Sequence, residues 1–172
     1  MSSSEQALPR KRGPSGPQPD LHAKTAVVMV SGFNGLGLHT LFQVFRLYGD
    51  VFENYVFVQV GVVDAGVFKG SAEVERLEIQ VKKELGHYVD FMRRNGHYAE
   101  GLSAIGVDVV DEVAKLAPQI LERFPYAVFF GGQLVFPEDS LFTRGLHNYT
   151  VFALQRRLYR QGIPISILPI RV

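Results

Sequence analysis

The chain contains no cysteine among its 172 residues. Disulfides, thiol nucleophiles, iron–sulfur clusters and cysteine-held zinc are therefore excluded, and a cytosolic location fits that composition. Net charge is nearly absent too. Lys and Arg number 18 against 17 Asp and Glu, leaving +1, so no general affinity for nucleic acid is expected. No apolar run reaches the roughly 18 residues that a membrane helix needs, because Gly, Gln, Asp or Pro interrupts the longest ones. The opening MSSSEQALPRKRG carries no apolar stretch and does not read as a secretory signal. Catalytic signatures are missing as well: there is no Gly-x-Ser-x-Gly elbow, no Walker loop, no Ser-His-Asp order and no pair of catalytic carboxylates. What is present, 47% hydrophobic and 20% charged residues, is an ordinary balance for one globular domain with a proper core.

Residues 1–24 differ in composition from the rest. Pro9, Pro14, Pro17 and Pro19 are four of the nine prolines, and a segment so poor in apolar residues cannot offset its ordering entropy. We therefore expect a disordered Pro-rich tail over 1–24 and a single domain over 25–172. Arg10, Lys11, Arg12 and Lys24 outweigh Glu5 and Asp20, giving the tail +2 and the remainder −1. Arg10, Lys11 and Arg12 are suited to weak contact with an anionic membrane surface and are too few to hold a protein there alone.

From Thr25 onward, β-rich apolar runs alternate with helical periodicity. Strands are expected at Thr25–Ser31, Tyr55–Val63, Ala99–Val107, Tyr126–Phe130 and Ile163–Val172. Between them, helices are expected at about Leu38–Leu47, Glu73–Asn95, from a cap at Asp108 to Phe124, and Leu141–Arg160. Strands apolar on both faces and separated by helices imply a parallel sheet covered on both sides. Right-handed crossovers then favour an α/β, five-stranded, doubly wound sheet of order 3-2-1-4-5, with the Pro164 and Pro169 strand at an edge.

Ligands of such sheets bind beyond the carboxyl ends of the strands, where the strand order reverses. That points to two loops. The first holds Gly32, Asn34, Gly35 and Gly37, followed by His39. Its glycines allow close backbone approach, and the helix start beyond it offers N–H groups to an anion. The spacing is Gly-x-x-Gly-x-Gly and not the dinucleotide fingerprint, although Asp64 ends the second strand where a ribose-binding acid would stand. The second loop begins at Gly131 and Gly132 and leads to Arg144 and His147, one helical turn apart and able to meet an anion; His39 is expected to approach the same crevice. A nucleotide is the cofactor these loops would suit. Packing glycines and a capping acidic loop (Glu138, Asp139, Ser140) account for the same residues without any ligand. No spacing is diagnostic of a metal, and no catalytic residue is assigned. Tyr149 lacks a Lys four positions later, against a short-chain dehydrogenase, so a small NAD(P)-dependent oxidoreductase is the weakest reading. Gln155, Arg156, Arg157 and Arg160 form a basic helix face. Aromatics make up 12%, and some, such as Phe57 and Phe68, fall outside the stripes, which favours a buried protein interface.

The phrases VVMVSGFNGLGLHTL (Val27–Leu41), FVQVGVVDAGVFKG (Phe57–Gly70) and LHNYTVFALQRRL (Leu146–Leu158), with the ending ILPIRV, resemble the soluble C-terminal cytoplasmic domain of bacterial amino-acid permeases of the APC superfamily. The resemblance runs over essentially all of 25–172. It implies an α/β domain of universal-stress-protein type, acting as a regulatory or assembly module at the cytoplasmic face of a transporter, non-enzymatic and dimeric. Its partners would be a membrane transporter or a second copy of the chain. Such permeases carry about a dozen membrane helices ahead of this domain and the present chain has none, so a detached domain or a free-standing relative is expected. The ATP-binding type of universal stress protein uses Gly-x2-Gly-x9-Gly-Ser/Thr. Here twelve residues separate Gly132 from Gly145 and Leu146 follows, a departure that tells against nucleotide binding. A nucleotide or small-anion sensor remains the alternative reading.

Overall fold

A computed structural model describes residues 17–31, 35–66, 70–135 and 141–171, the side chains of 133–135 and 141–149 excepted. Five strands, β1 (Thr25–Met29), β2 (Asn54–Val62), β3 (Tyr98–Gly106), β4 (Ala127–Val135) and β5 (Ile165–Arg171), alternate with helices α1 (Gly35–Tyr48), α2 (Ser71–Arg94), α3 (Val109–Arg123) and α4 (Leu141–Arg160). Every strand pairing is parallel and the order is β3-β2-β1-β4-β5, the expected arrangement. Among the described residues, no helix is long and apolar enough to cross a membrane.

Each face of the sheet buries its own core. On one side Leu41 and Val44 of α1 and Val81, Leu85, Tyr88 and Met92 of α2 pack on Ala26, Val28, Phe57 and Phe130. On the other, Val113, Ala117 and Ile120 of α3 and Leu154 and Leu158 of α4 pack on Val27, Val56, Val58 and Phe129. Successive β1 side chains point to opposite faces, so its unbroken apolar run feeds both cores. Phe57, expected at an interface, is instead fully buried and stacks on Tyr88 at 4.9 Å between ring centroids. Its place in the sheet, which no single helical stripe displays, explains the difference. Phe68 lies outside the described residues.

Local chemistry sets the element ends. The Asp108 carboxylate accepts a hydrogen bond from the Asp111 N–H at 3.0 Å and caps α3. Gly96 and Gly162 adopt positive φ just past α2 and α4. Pro118 sits inside α3 and has no N–H for the Ala114 carbonyl, four residues earlier. Gln161, just past α4, donates its Nε2–H to that carbonyl at 3.1 Å, so the proline's missing bond becomes a tie between α3 and the end of α4.

Two boundaries depart from expectation. Strand β4 does not stop at Phe130 but runs through Gly131 and Gly132 to Val135. Glycine usually punctuates a strand; here the ladder to β5 continues, pairing Gly131 with Ile167 and Gly132 with Leu168. Helix α1 begins at Gly35 rather than Leu38. At the other end of the sheet, the segment before β1 is tied down. Asn54, fully buried, accepts the Asp20 N–H at 3.0 Å and donates to the Asp20 carbonyl at 2.7 Å and to Thr25 Oγ1 at 2.9 Å. The basic triplet Arg10, Lys11 and Arg12 lies outside the described residues.

Candidate functional site

The sheet's carboxyl edge opens between β1 and β4, where the order reverses. Among the described residues a crevice of about 150 Å³ lies there, below the roughly 300 Å³ at which small-molecule pockets begin. Its walls are mainly aliphatic: Val30 and Leu36 on one side, Val60, Val113, Val151 and Leu154 on the other. Among the described residues the polar side chains that line it are Ser31, Thr40 and Thr150, and the Thr40 hydroxyl already donates to the Leu36 carbonyl at 2.7 Å.

The glycines around this crevice make room for neighbouring side chains. A β-carbon at Gly37 would overlap the Tyr88 hydroxyl and come within 2.9 Å of its Cζ. One at Gly132 would run into Thr40 Oγ1, and one at Gly131 would lie 2.6 Å from Val151 Cγ2. All three allow a helix to settle closely on the sheet or on its neighbour. Gly35 differs: it is exposed at the first residue of α1, and the neighbour a β-carbon there would meet among the described residues is His39, at 4.0 Å. Gly32 and Asn34 lie outside the described residues, and so do the side chains of Arg144 and His147, which stand in the first two turns of α4.

The other two candidates sit apart from the crevice. Asp64, exposed beyond β2, accepts the Gly66 N–H at 2.9 Å and closes its own turn; it does not line the crevice. His39 is exposed on α1 and turns its ring edge to Phe42, with centroids 6.5 Å apart. It lines a different groove, between α1 and β5, because helical phase groups it with Phe42, Gln43 and Arg46. The expected approach of His39 to the carboxyl-edge crevice is thereby corrected.

Two residues that sequence reasoning passed over have displaced titrations, both at the opposite, amino end of the strands. Burial first, and then the Asp50 carboxylate, push the Tyr55 phenol above its ordinary value of 10.0. Among the described residues the Tyr55 hydroxyl has no hydrogen-bond partner, and its ring lies 5.4 Å from that of His97. Tyr98 is also raised, by burial and by its 2.6 Å hydrogen bond to Glu100, with Arg123 opposing. Among the described residues no group of three or more His, Asp or Glu side chains is arranged to hold a metal ion. On the basic face of α4, Arg157 reaches Asp111 of α3 at 3.7 Å, and Arg156 and Arg160 are exposed.

No protein-family model matches the chain, and no curated protein matches it. Solved structures do. A protein of the universal stress protein family from Burkholderia pseudomallei superposes with a TM-score of 0.58 at 17% identity, over 89% of this chain and 100% of that one. A universal stress protein from Archaeoglobus fulgidus does so with a TM-score of 0.51 at 14% identity, over 84% of this chain and 92% of that one. Likeness at such identity establishes the fold: an α/β domain built like a universal stress protein.

Proposed function

We propose that this domain is a non-enzymatic regulatory or assembly module that works through contact with another protein, of the kind carried at the cytoplasmic face of amino-acid permeases. The observation that carries the proposal is the carboxyl-edge crevice. In a doubly wound sheet that is the place for a ligand, and here helix packing fills it with aliphatic side chains and uses Gly37, Gly131 and Gly132 for close contact. The phrases Val27–Leu41, Phe57–Gly70 and Leu146–Leu158 support the permease connection.

The competing reading is a nucleotide or small-anion sensor, favoured by the exposed Gly35 at the start of α1 beside the switch point. A thermal-shift series with ATP, ADP, AMP, cyclic nucleotides, NAD(P) and amino acids separates the two. A native-state ligand at 100 times its Kd adds about 2.7 kcal/mol, which moves the midpoint of a domain this size by several degrees. The expected result is no shift, together with co-purification of the domain with an amino-acid permease from detergent-solubilised membranes. A nucleotide-specific shift abolished by Gly35→Val would assign the sensor role instead. Absence of any permease in the purified material would remove the permease connection.

A further inference from the structure

The groove between α1 and β5 is larger and more polar than the carboxyl-edge crevice. It measures about 640 Å³. His39, Phe42, Gln43 and Arg46 recur at helical spacing along its α1 wall, and Pro169 and Arg171 stand on its β5 wall. Strand β5 is an edge: β4 pairs with it on one side.

Two features define what the groove can hold. Arg46 and Arg171 are exposed, and among the described residues neither guanidinium has an ion-pair or hydrogen-bond partner and none of those lining the groove is an Asp or Glu. Its rim therefore favours an anionic occupant. Phe42 is 47% exposed beside these cations and offers an apolar contact. Gln43 donates its Nε2–H to the Pro169 carbonyl at 3.3 Å and ties the two walls together. A second copy docking face to face would set Arg46 and Arg171 against their own equivalents, a like-charge arrangement that opposes pairing.

We propose that this groove receives an acidic, extended peptide segment of a partner protein. Carboxylates of the segment meet Arg46 and Arg171, and an apolar side chain covers Phe42. The proposal rests on the reading of the domain as a protein-contact module and names the chemistry of the partner.

The test is fluorescence anisotropy of the full chain with a labelled peptide that alternates Glu and Val around a central Phe. The same peptide with Lys in place of Glu serves as control, and inorganic phosphate as competitor. Saturable binding of the acidic peptide alone is expected, weakening as salt rises and falling about tenfold or more in the Arg46→Glu, Arg171→Glu double variant. Both side chains are exposed, so the variant should keep its thermal midpoint; if it does not fold, Arg171→Gln alone is measured, with a smaller loss in the same direction expected. The proposal is overturned by absent binding, by equal binding of the variants, or by displacement with phosphate. It is equally overturned by a dimer in sedimentation that the same charge reversals dissociate, which would give the groove to a second copy. Capture of a permease by the double variant at wild-type yield would remove the groove as the contact and leave the module reading standing. Loss of permease capture by the wild-type chain, with the acidic peptide still bound, would do the reverse.

Discussion

Gly37 and Tyr88 interlock. The phenol of Tyr88, rising from α2, occupies the space in which a side chain at position 37 of α1 would begin, and Val30 Cγ1 closes the same space from 3.3 Å. The ring cannot simply retreat, because it is fully buried and stacked on Phe57. A glycine that reads as part of an anion cradle is thus the contact that lets the first turn of α1 meet α2 over the sheet.

Gly37→Ala should therefore destabilise the domain. Alanine gains about 1 kcal/mol of helix propensity over glycine, while overpacking a core contact costs about 1–3 kcal/mol. The expected net loss is up to about 2 kcal/mol, read from the midpoint of urea unfolding at neutral pH. In a Tyr88→Phe background the nearest clashing atom is gone, so the same alanine should cost less. A double-mutant cycle in which the two changes simply add would contradict the interlock.

A second pair of distant residues repairs a helix. Gln161 at the end of α4 supplies the hydrogen bond that Pro118 denies to the Ala114 carbonyl in α3. Gln161→Ala should cost about 1 kcal/mol, lowering the thermal midpoint by about 2–4 °C for a chain of this length. In Pro118→Ala the helix can close its own bond, and Gln161→Ala should then be nearly silent. Equal cost in both backgrounds would mean that the side-chain bond does not compensate the proline.

The architecture was legible from sequence because its signals are local and repeated. Thr25–Met29 is a β-branched apolar run with no polar face, which only a sheet covered on both sides accommodates. Asp108 announces the start of α3 through its own side chain. The candidate site was less legible, since glycine carries the same signal whether its missing side chain makes room for a ligand or for a neighbouring residue. At Gly37, Gly131 and Gly132 the deciding atoms belong to Tyr88, Val151 and Thr40, each on a helix whose position only tertiary packing fixes. The same reasoning explains β4. Gly131-Gly132 reads as a stop, yet the strand continues because α4 and α1 need the empty space on its two faces. His39 misled for a simpler reason. It directly follows the glycine loop, but helical phase sets it with Phe42 and Arg46, over β5 rather than over the crevice.

Tyr55 gives a prediction in pH. Its hydroxyl is buried without a partner, and burial aided by Asp50 raises its pKa in the folded chain above the ordinary 10.0. The neutral phenol is thus favoured in the native state, whereas the unfolded chain releases the proton near pH 10. Below that value both states hold the proton and Tyr55 contributes no pH dependence. Above it the unfolded chain binds fewer protons, so stability falls with rising pH, by up to about 1.4 kcal/mol per pH unit from this one group. Tyr55→Phe removes both the titration and the unpartnered oxygen. At neutral pH the variant should match the wild type or exceed it by about 1 kcal/mol. Above pH 10 its unfolding free energy should decline less steeply than that of the wild type, with Tyr98 supplying part of the slope that remains, since it too is raised and is unaffected by the change. Urea titrations from neutral to alkaline pH measure both quantities. Parallel curves for the two proteins above pH 10 would show that the Tyr55 phenol ionises as easily in the folded chain as in the unfolded one, and would place its hydroxyl in contact with water.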